Sequence, residues 1–455
     1  MKNIYPICLF LLLSFACSGQ TIHQISTTEA KSDINNLITT IESVHFNPYR
    51  INNKQLLIES KDSIFNRWNK DSISFKEFTK TGMLIASLMS TGHTSFDWQN
   101  PLLFPELLST TFLPFKVKMI EDQLVVTSAI DKLIEVGDIV VSINDQKAIL
   151  LFSETMNLTG GIKPFKKAVI EKFFPLYLFF ILEQHSGFKI TLSSGKELNL
   201  AGIDVNKLVE FIQADLSKPN YTFEVIENDI GLISYNSCED YEAFSQFLDT
   251  TFQNLDSKSI DKLIIDLRSN SGGDSSLNDK LLSYLTIDKY RQSSGRYWKV
   301  SKEVQDKIKN DSLWSGFLDE SFLSEYLNSE DQSIINAIDH SLTKNPKSTY
   351  FFNGKHCFLI GPYTFSSANY LADAVKTFKL STLIGTATGE LTNDFGEQVE
   401  FQLPNSKSYF FVPATYDIGA DKNEENMSAV IPDILSEDDV INTAVNFLRN
   451  KDGHK

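Results

Sequence analysis

Apolar residues first recur at helical spacing, at Ile34, Leu37, Ile38, Ile41 and Val44, which predicts a mainly helical region over 21–110. The period then shortens. The runs FKVKMI, QLVVTSAI, DIVVSIND and FKITLSS between 113 and 195 read as short strands, so 111–205 forms a small β-domain. A helix-like insert at 150–185 interrupts it, carrying Phe173, Phe174, Tyr177, Phe179 and Phe180. Beyond 221, buried strands and amphipathic helices alternate: IGLISYNS (230–237), then YEAFSQFLDTTFQNL (241–255), KLIIDLRS (262–269), HCFLIG (356–361), SSANYLADAVKTF (366–378) and STLIGTA (381–387). Apolar strands separated by helices predict an α/β sheet covered on both faces, within a third region at 206–455. The stretch 286–350 is polar and reads as an irregular excursion from that sheet.

Composition adds bounds. The chain has 455 residues, 42% of them apolar, which suits two or more packed domains. Its 34 phenylalanines point to large cores and grooves. A net charge of −16 repels phosphate backbones, and no basic block offsets it, so nucleic acid is not an expected partner. Residues 1–20, MKNIYPICLFLLLSFACSGQ, combine one lysine, a short apolar run and small residues, the pattern of an export signal peptide. Ala16-Cys17 suits lipid attachment at Cys17, whereas Ser14 and Phe15 depart from the usual pattern upstream. No later run is long and apolar enough to span a bilayer, so the expected location is the periplasm or cell envelope, free or lipid-anchored. Cys238 and Cys357 lack CxxC or histidine-rich neighbours and read as buried free thiols rather than metal ligands.

Three segments carry candidate chemistry. In the first, a strand ends at Gly361-Pro362 and a helix begins near Ser366. A serine there lies beside free backbone N–H groups and the positive end of the helix, which can stabilise an oxyanion. The plainer reading is an ordinary N-cap, the commonest role of serine at a helix start. The second is IIDLRSNSGG (264–273), where paired glycines let the main chain approach a bound group and free its N–H donors. The third is His93, set between Gly92 and Thr94, where a structural histidine is the plainer alternative.

Together these segments resemble the C-terminal-processing and tricorn-type serine peptidases. Thr364-Phe365-Ser366-Ser367-Ala368 is similar to the T-x-S-[AS]-[AS] nucleophile motif of that family. Asp266-Leu267-Arg268 with Asn270 and Gly272-Gly273 resembles its D-x-R-x-N-x-G-G turn. Gly385 with Thr388-Gly389, Leu403-Pro404-Asn405-Ser406 and Pro432-Asp433-Ile434 match its later elements in order. KLIEVGDIVVSIND (132–145) resembles the Gly-Asp turn and strand of a PDZ domain. The resemblance implies an α/β catalytic core of crotonase-like ββα units, with a mixed sheet and flanking helices. It also implies an N-terminal helical region and a small PDZ-like β-domain.

It further implies serine-type hydrolysis of peptides or unfolded protein chains, with no metal or organic cofactor. One branch of the family uses a lysine about twenty-five residues after the serine. Here that place holds Leu391, and no lysine occurs between 380 and 406. The other branch takes its base from an N-terminal histidine, in a setting that His93 matches, oriented by a late acidic residue, here Glu424 or Glu425. Neutral imidazole suits general-base work on a serine hydroxyl. The oxyanion donors carried over are the N–H of Ser367 and that of Gly272 or Gly273. One departure stands out: the tricorn-type pattern has serine before the histidine, and this chain has Gly92, leaving Thr94 or Ser90 as substitute hydroxyls. The alternatives are a catalytically inactive peptide- or ligand-binding envelope protein on the same fold, or an envelope scaffold.

Overall fold

The computed structural model describes residues 22–450 apart from 51, 90, 184, 185, 217, 311–317 and 345. The signal peptide, Cys17 and Ser90 lie outside the described residues. In what is described, no helix is long and apolar enough to cross a membrane.

One six-stranded sheet runs in the order Tyr221–Ile226, Ile230–Tyr235, Lys262–Asp266, Lys355–Ile360, Thr382–Gly385, Ile434–Leu435. The first pair is antiparallel and every later pair is parallel. Successive side chains of a strand face opposite sides, and here both sides are buried. Ile233, Leu263, Ile265, Phe358 and Ile360 pack under helices Tyr241–Ser257 and Ser367–Phe378 through Phe244, Leu248, Leu371 and Val375. Leu232, Ile264, Cys357 and Leu359 pack on the opposite face against Val440, Ala444 and Leu448 of helix Val440–Arg449. Period-two burial on two faces is why these strands read as unbroken apolar runs. Because the central strands are parallel, their carboxyl ends share one edge. That edge collects the segments 267–273, 361–366 and 386–390, where ligands of open α/β sheets bind.

A second sheet, Ile334–Ile338, Gly295–Lys299, Tyr409–Asp417 and Asp394–Gln402, stands beside it. Two of its strands come from the stretch expected to be irregular. They are short, and Gly295–Lys299 gains its partners from residues far along the chain, Ile334–Ile338 on one side and Tyr409–Asp417 on the other. Such pairing leaves no local signal. Ser95 and Phe96 pair with Phe411 and Phe410 of this sheet. That short pairing fixes the loop holding His93 two residues upstream.

The third sheet is antiparallel and joins Phe115–Ile120, Gln123–Ala129, Ile139–Ile143, Gly187–Leu192 and Glu197–Ala201, with Gln146–Lys147 on its margin. Asn144 and Asp145 both take positive φ, 50° and 62°, and form the tight turn between Ile139–Ile143 and Gln146–Lys147. Helices Ala148–Met156 and Lys163–Ile181 form the phenylalanine-rich insert, the second kinked at Phe173 ahead of Pro175.

The N-terminal region is helical as expected, with helices Thr27–Val44, Lys54–Arg67 and Phe75–Ser87. Asp33 of the first is fully buried. Its carboxylate accepts from Asn405 N at 3.1 Å, Asn405 Nδ2 at 2.8 Å and Ser406 N at 2.7 Å. The Leu403–Ser406 motif is therefore where the N-terminal helix is pinned to the second sheet. Asp33→Ala removes a charged acceptor and strands three donors, so stability should fall by about 3 kcal/mol. A urea midpoint unchanged from the parent would refute that role.

Candidate active site

Ser366 stands where helix Ser367–Phe378 begins, at φ 52° and ψ −127°, a conformation that non-glycine residues rarely adopt. It sits at the capping position, yet its side chain makes no capping hydrogen bond. Among the described residues its hydroxyl has no hydrogen-bond partner at all, and the residue is half-buried. The capping explanation thus fails for this serine. A strained strand-to-helix turn that presents a free Oγ is the geometry of an exposed nucleophile.

Neighbouring side chains hold the turn. Thr364 Oγ1 donates to Leu267 O at 3.0 Å and accepts from Gly361 N at 3.0 Å. Phe365 N donates to Asn270 O at 3.1 Å. Ser367 Oγ donates to Gly273 O at 2.5 Å, so the second serine of the motif is engaged in structure. Ser366 N donates to the Glu390 carboxylate. Three of these bonds run to residues 267–273, after strand Lys262–Asp266, and one to Glu390, after strand Thr382–Gly385, and together they sustain a local strain of about 1–3 kcal/mol.

The Gly-Gly turn lies directly against the serine. Gly272 has φ 99°, and a Cβ there would sit 2.6 Å from Ser366 Cβ. The carry-over offered Gly272 or Gly273 as a donor, and the two differ. Gly272 N already donates to Asn270 Oδ1 at 2.9 Å. The N–H groups of Gly273 and Ser367 have no acceptor among the described residues. Asp266 and Arg268, costly at a strand end, neutralise one another through Nε–Oδ1 and Nη2–Oδ2 contacts of 2.9 and 2.7 Å. Cys238 and Cys357 are free and buried.

His93 lies on the same edge, 7% exposed, its carbonyl accepting from Gln398 Nε2 at 2.6 Å. Its ring packs on Phe365 with centroids 4.8 Å apart. The carboxylate that reaches the imidazole is Glu390, with Oε1 3.2 Å from Nδ1, though its direction falls short of a hydrogen bond. Glu390 thus touches both the Ser366 peptide and His93. Neither glutamate expected from the resemblance occupies that place. Glu424 is exposed, accepting from Tyr297 OH at 3.0 Å, and Glu425 is exposed with its N–H on Asn423 Oδ1. Thr94 is buried with its hydroxyl unpaired, and the site of the expected serine is closed, since a Cβ on Gly92 would meet Phe365 Cζ at 2.5 Å.

Residues 229–436 match the profile of Peptidase family S41. This segment is an S41 peptidase domain. It contains Ser366, Glu390 and the Gly-Gly turn, while His93 is supplied from outside it. No match is found among curated proteins. Among solved structures, a Ser→Ala mutant of CPAF is 14% identical, with a TM-score of 0.66 over 94% of this chain and 99% of that one. Mature CPAF complexed with lactacystin is 13% identical, with a TM-score of 0.60 over 93% and 97%. At such identities the likeness speaks for the shared fold, and it extends over nearly the whole length of both chains.

Charge at this site is set by burial. Burial lowers the pKa of His93 to about 4, against a small opposing pull from Glu397, so the imidazole is neutral near pH 7. Burial raises Glu390 well above the ordinary carboxylate range, and the Asp394 carboxylate adds to that. Asp394 is itself pushed up to about 7, chiefly by burial. Asp417, raised by burial, is held by Arg296 Nε at 3.1 Å and Tyr370 OH at 2.5 Å. Sequence reasoning missed Glu390 and the acids behind it. The nearest signal was the missing lysine, sought one residue away.

Strain at Ser366 yields a stability test. Ser366→Gly should raise stability by about 1 kcal/mol, because glycine takes positive φ without cost. Ser366→Ala keeps the Cβ and should gain nothing. Equal unfolding midpoints for the two variants would contradict the strained turn.

Proposed function

We propose that the protein is a serine peptidase in which Ser366 is the nucleophile, His93 the general base and Glu390 the group orienting His93. The observation carrying this is the strained Ser366 with an unengaged hydroxyl, gripped from behind by the carboxylate that also meets His93. His93 Nε2 would take the proton of Ser366 Oγ as Oγ attacks a peptide carbonyl. The oxyanion would be received by the N–H groups of Ser367 and Gly273, and an acyl-enzyme would be released by water. Ser366 and His93 are not hydrogen-bonded in this structure, as is common before substrate tightens such contacts. A catalytically inactive binding protein would have no use for a strained, unengaged serine.

The substrate class is peptides or unfolded protein chains. The reading includes a helical region at 21–110, a PDZ-like domain with its insert at 111–205 and a crotonase-like catalytic domain at 206–455. It also includes export through the leader at 1–20, with Cys17 available for lipid attachment.

A serine-directed fluorophosphonate should label the mature chain, and Ser366→Ala should abolish labelling while Ser367→Ala retains it. His93→Ala should slow labelling by roughly 10²-fold or more. Glu390→Gln should slow it at least about tenfold, whereas Glu424→Gln and Glu425→Gln should stay within about twofold. An unlabelled parent would end the enzyme reading, and the reverse order of the glutamates would restore Glu424 or Glu425 as orienter.

The pH dependence has a definite sign. A protonated Glu390 can donate to Nδ1, which leaves the hydrogen on Nε2 and no lone pair for Ser366. Ionised Glu390 accepts Nδ1–H and frees Nε2. Labelling should therefore rise with pH as Glu390 loses its proton. Asp394→Asn removes a like charge that opposes this ionisation, so the rising limb should move to lower pH. A shift to higher pH, or none, would count against Glu390.

A further inference from the structure

We propose that Phe165, on helix Lys163–Ile181 of the small β-domain's insert, is a positioning residue for His93, acting through a three-ring stack Phe165–Phe365–His93. The proposal rests on the reading of His93 as the base, but its geometry is independent of that reading. Phe165 and Phe365 are nearly parallel, with centroids 4.6 Å apart and 20° between planes. Phe365 lies 4.8 Å from the imidazole centroid at 34°. All three side chains are buried. Offset stacking of this kind is favourable beyond the area it buries.

Glycines on three separate segments make room for the stack. A Cβ on Gly92 would come within 2.5 Å of Phe365 Cζ, and one on Gly161 within 2.7 Å of Phe165 Cδ1. A Cβ on Gly389, beside Glu390, would come within 3.0 Å of Phe165 Cδ2. The helix is also docked on the serine turn by a second route. Tyr363 meets the Phe165 ring edge-on at 6.1 Å and donates from its hydroxyl to Ala168 O at 3.1 Å.

The consequence for His93 is mechanical. Glu390 and Gln398 restrain the imidazole at Nδ1 and at the backbone, but neither fixes its plane. Phe365 closes one face, and Phe165 keeps Phe365 from retreating. Close packing makes such restraint sensitive to single-ring losses. Because Phe365 also precedes Ser366, the same stack bears on the strained turn. The insert is thereby part of the site, although it lies nearly two hundred residues before the serine in the chain.

The test uses the full mature chain with isotopically labelled histidine, following the His93 ring signals by NMR and assigning them by their absence in His93→Ala. Phe165→Leu should move those signals through altered ring currents. It should also raise the pKa of His93 from about 4 toward the ordinary 6.5 as water gains access, with Glu390 and Glu397 unchanged around it. Fluorophosphonate labelling should slow about tenfold or more. Phe165→Tyr keeps the ring and should restore both readouts. Phe174→Leu, a buried phenylalanine on the same helix but off the stack, should leave His93 untouched and controls for general loosening of the insert. If Phe165→Leu does not fold, Phe165→Met serves in its place. His93 signals unmoved by the Phe165 variants, or moved as much by Phe174→Leu, overturn the proposal. Signals that move in a parent that takes no label would leave the ring coupling standing and defeat the peptidase reading alone.

Discussion

Everything at the site depends on holding Ser366 at positive φ, a conformation its own sequence does not favour. No single bond does this. Thr364 ties the turn to the strand ending at Asp266, Phe365 to Asn270, Ser367 to Gly273, and Ser366 itself to Glu390. Three parallel strands must end side by side for these partners to meet. The sheet is thus the source of the strain's support, and the Gly-Gly turn is the only kind of neighbour that fits, since Cβ atoms at 272 and 366 would collide.

The second constraint is a concentration of buried acids behind the serine. Glu390, Asp394 and Asp417 lie together in a low-dielectric region, where isolated carboxylates are costly. Arg296 and Tyr370 partner Asp417, one by charge and one by a hydrogen bond, while Glu390 faces the like charge of Asp394. One outcome is a carboxyl group that resists ionisation next to an imidazole that resists protonation. Both shifts have the same cause, burial. Together they make the proton on the pair, rather than the charge of either member, the variable that the environment controls.

Legibility in the sequence followed locality. The serine turn and Gly-Gly turn each lie within ten residues and join a recognisable strand to a helix, so residue types and spacing sufficed. The main sheet was legible because its strands are buried on both faces. Gly295–Lys299 and Ile334–Ile338 were not, because their pairing is distant and their patterns short. His93 stood out by its setting between Gly92 and Thr94, but its reading as the base came only through resemblance. Glu390 gave no signal: one acid among 58 Asp and Glu, its burial is created by packing of the loop after strand Thr382–Gly385 against Thr364 and Val430. Resemblance pointed instead to Glu424 and Glu425, which this fold leaves at the surface.

Gly92 joins these strands of argument. Read as a departure from the tricorn-type pattern, it looked like a missing hydroxyl in a relay. In the structure it is the space that the Phe365 ring requires. The same ring then abuts the imidazole that a serine at 92 would have served, and Glu390 approaches that imidazole from its Nδ1 side. A side chain at 92 and the Phe365 ring as placed here exclude one another, because they would occupy the same volume. With Phe365 packed on the imidazole and Glu390 beside its Nδ1, position 92 is left with room for glycine alone.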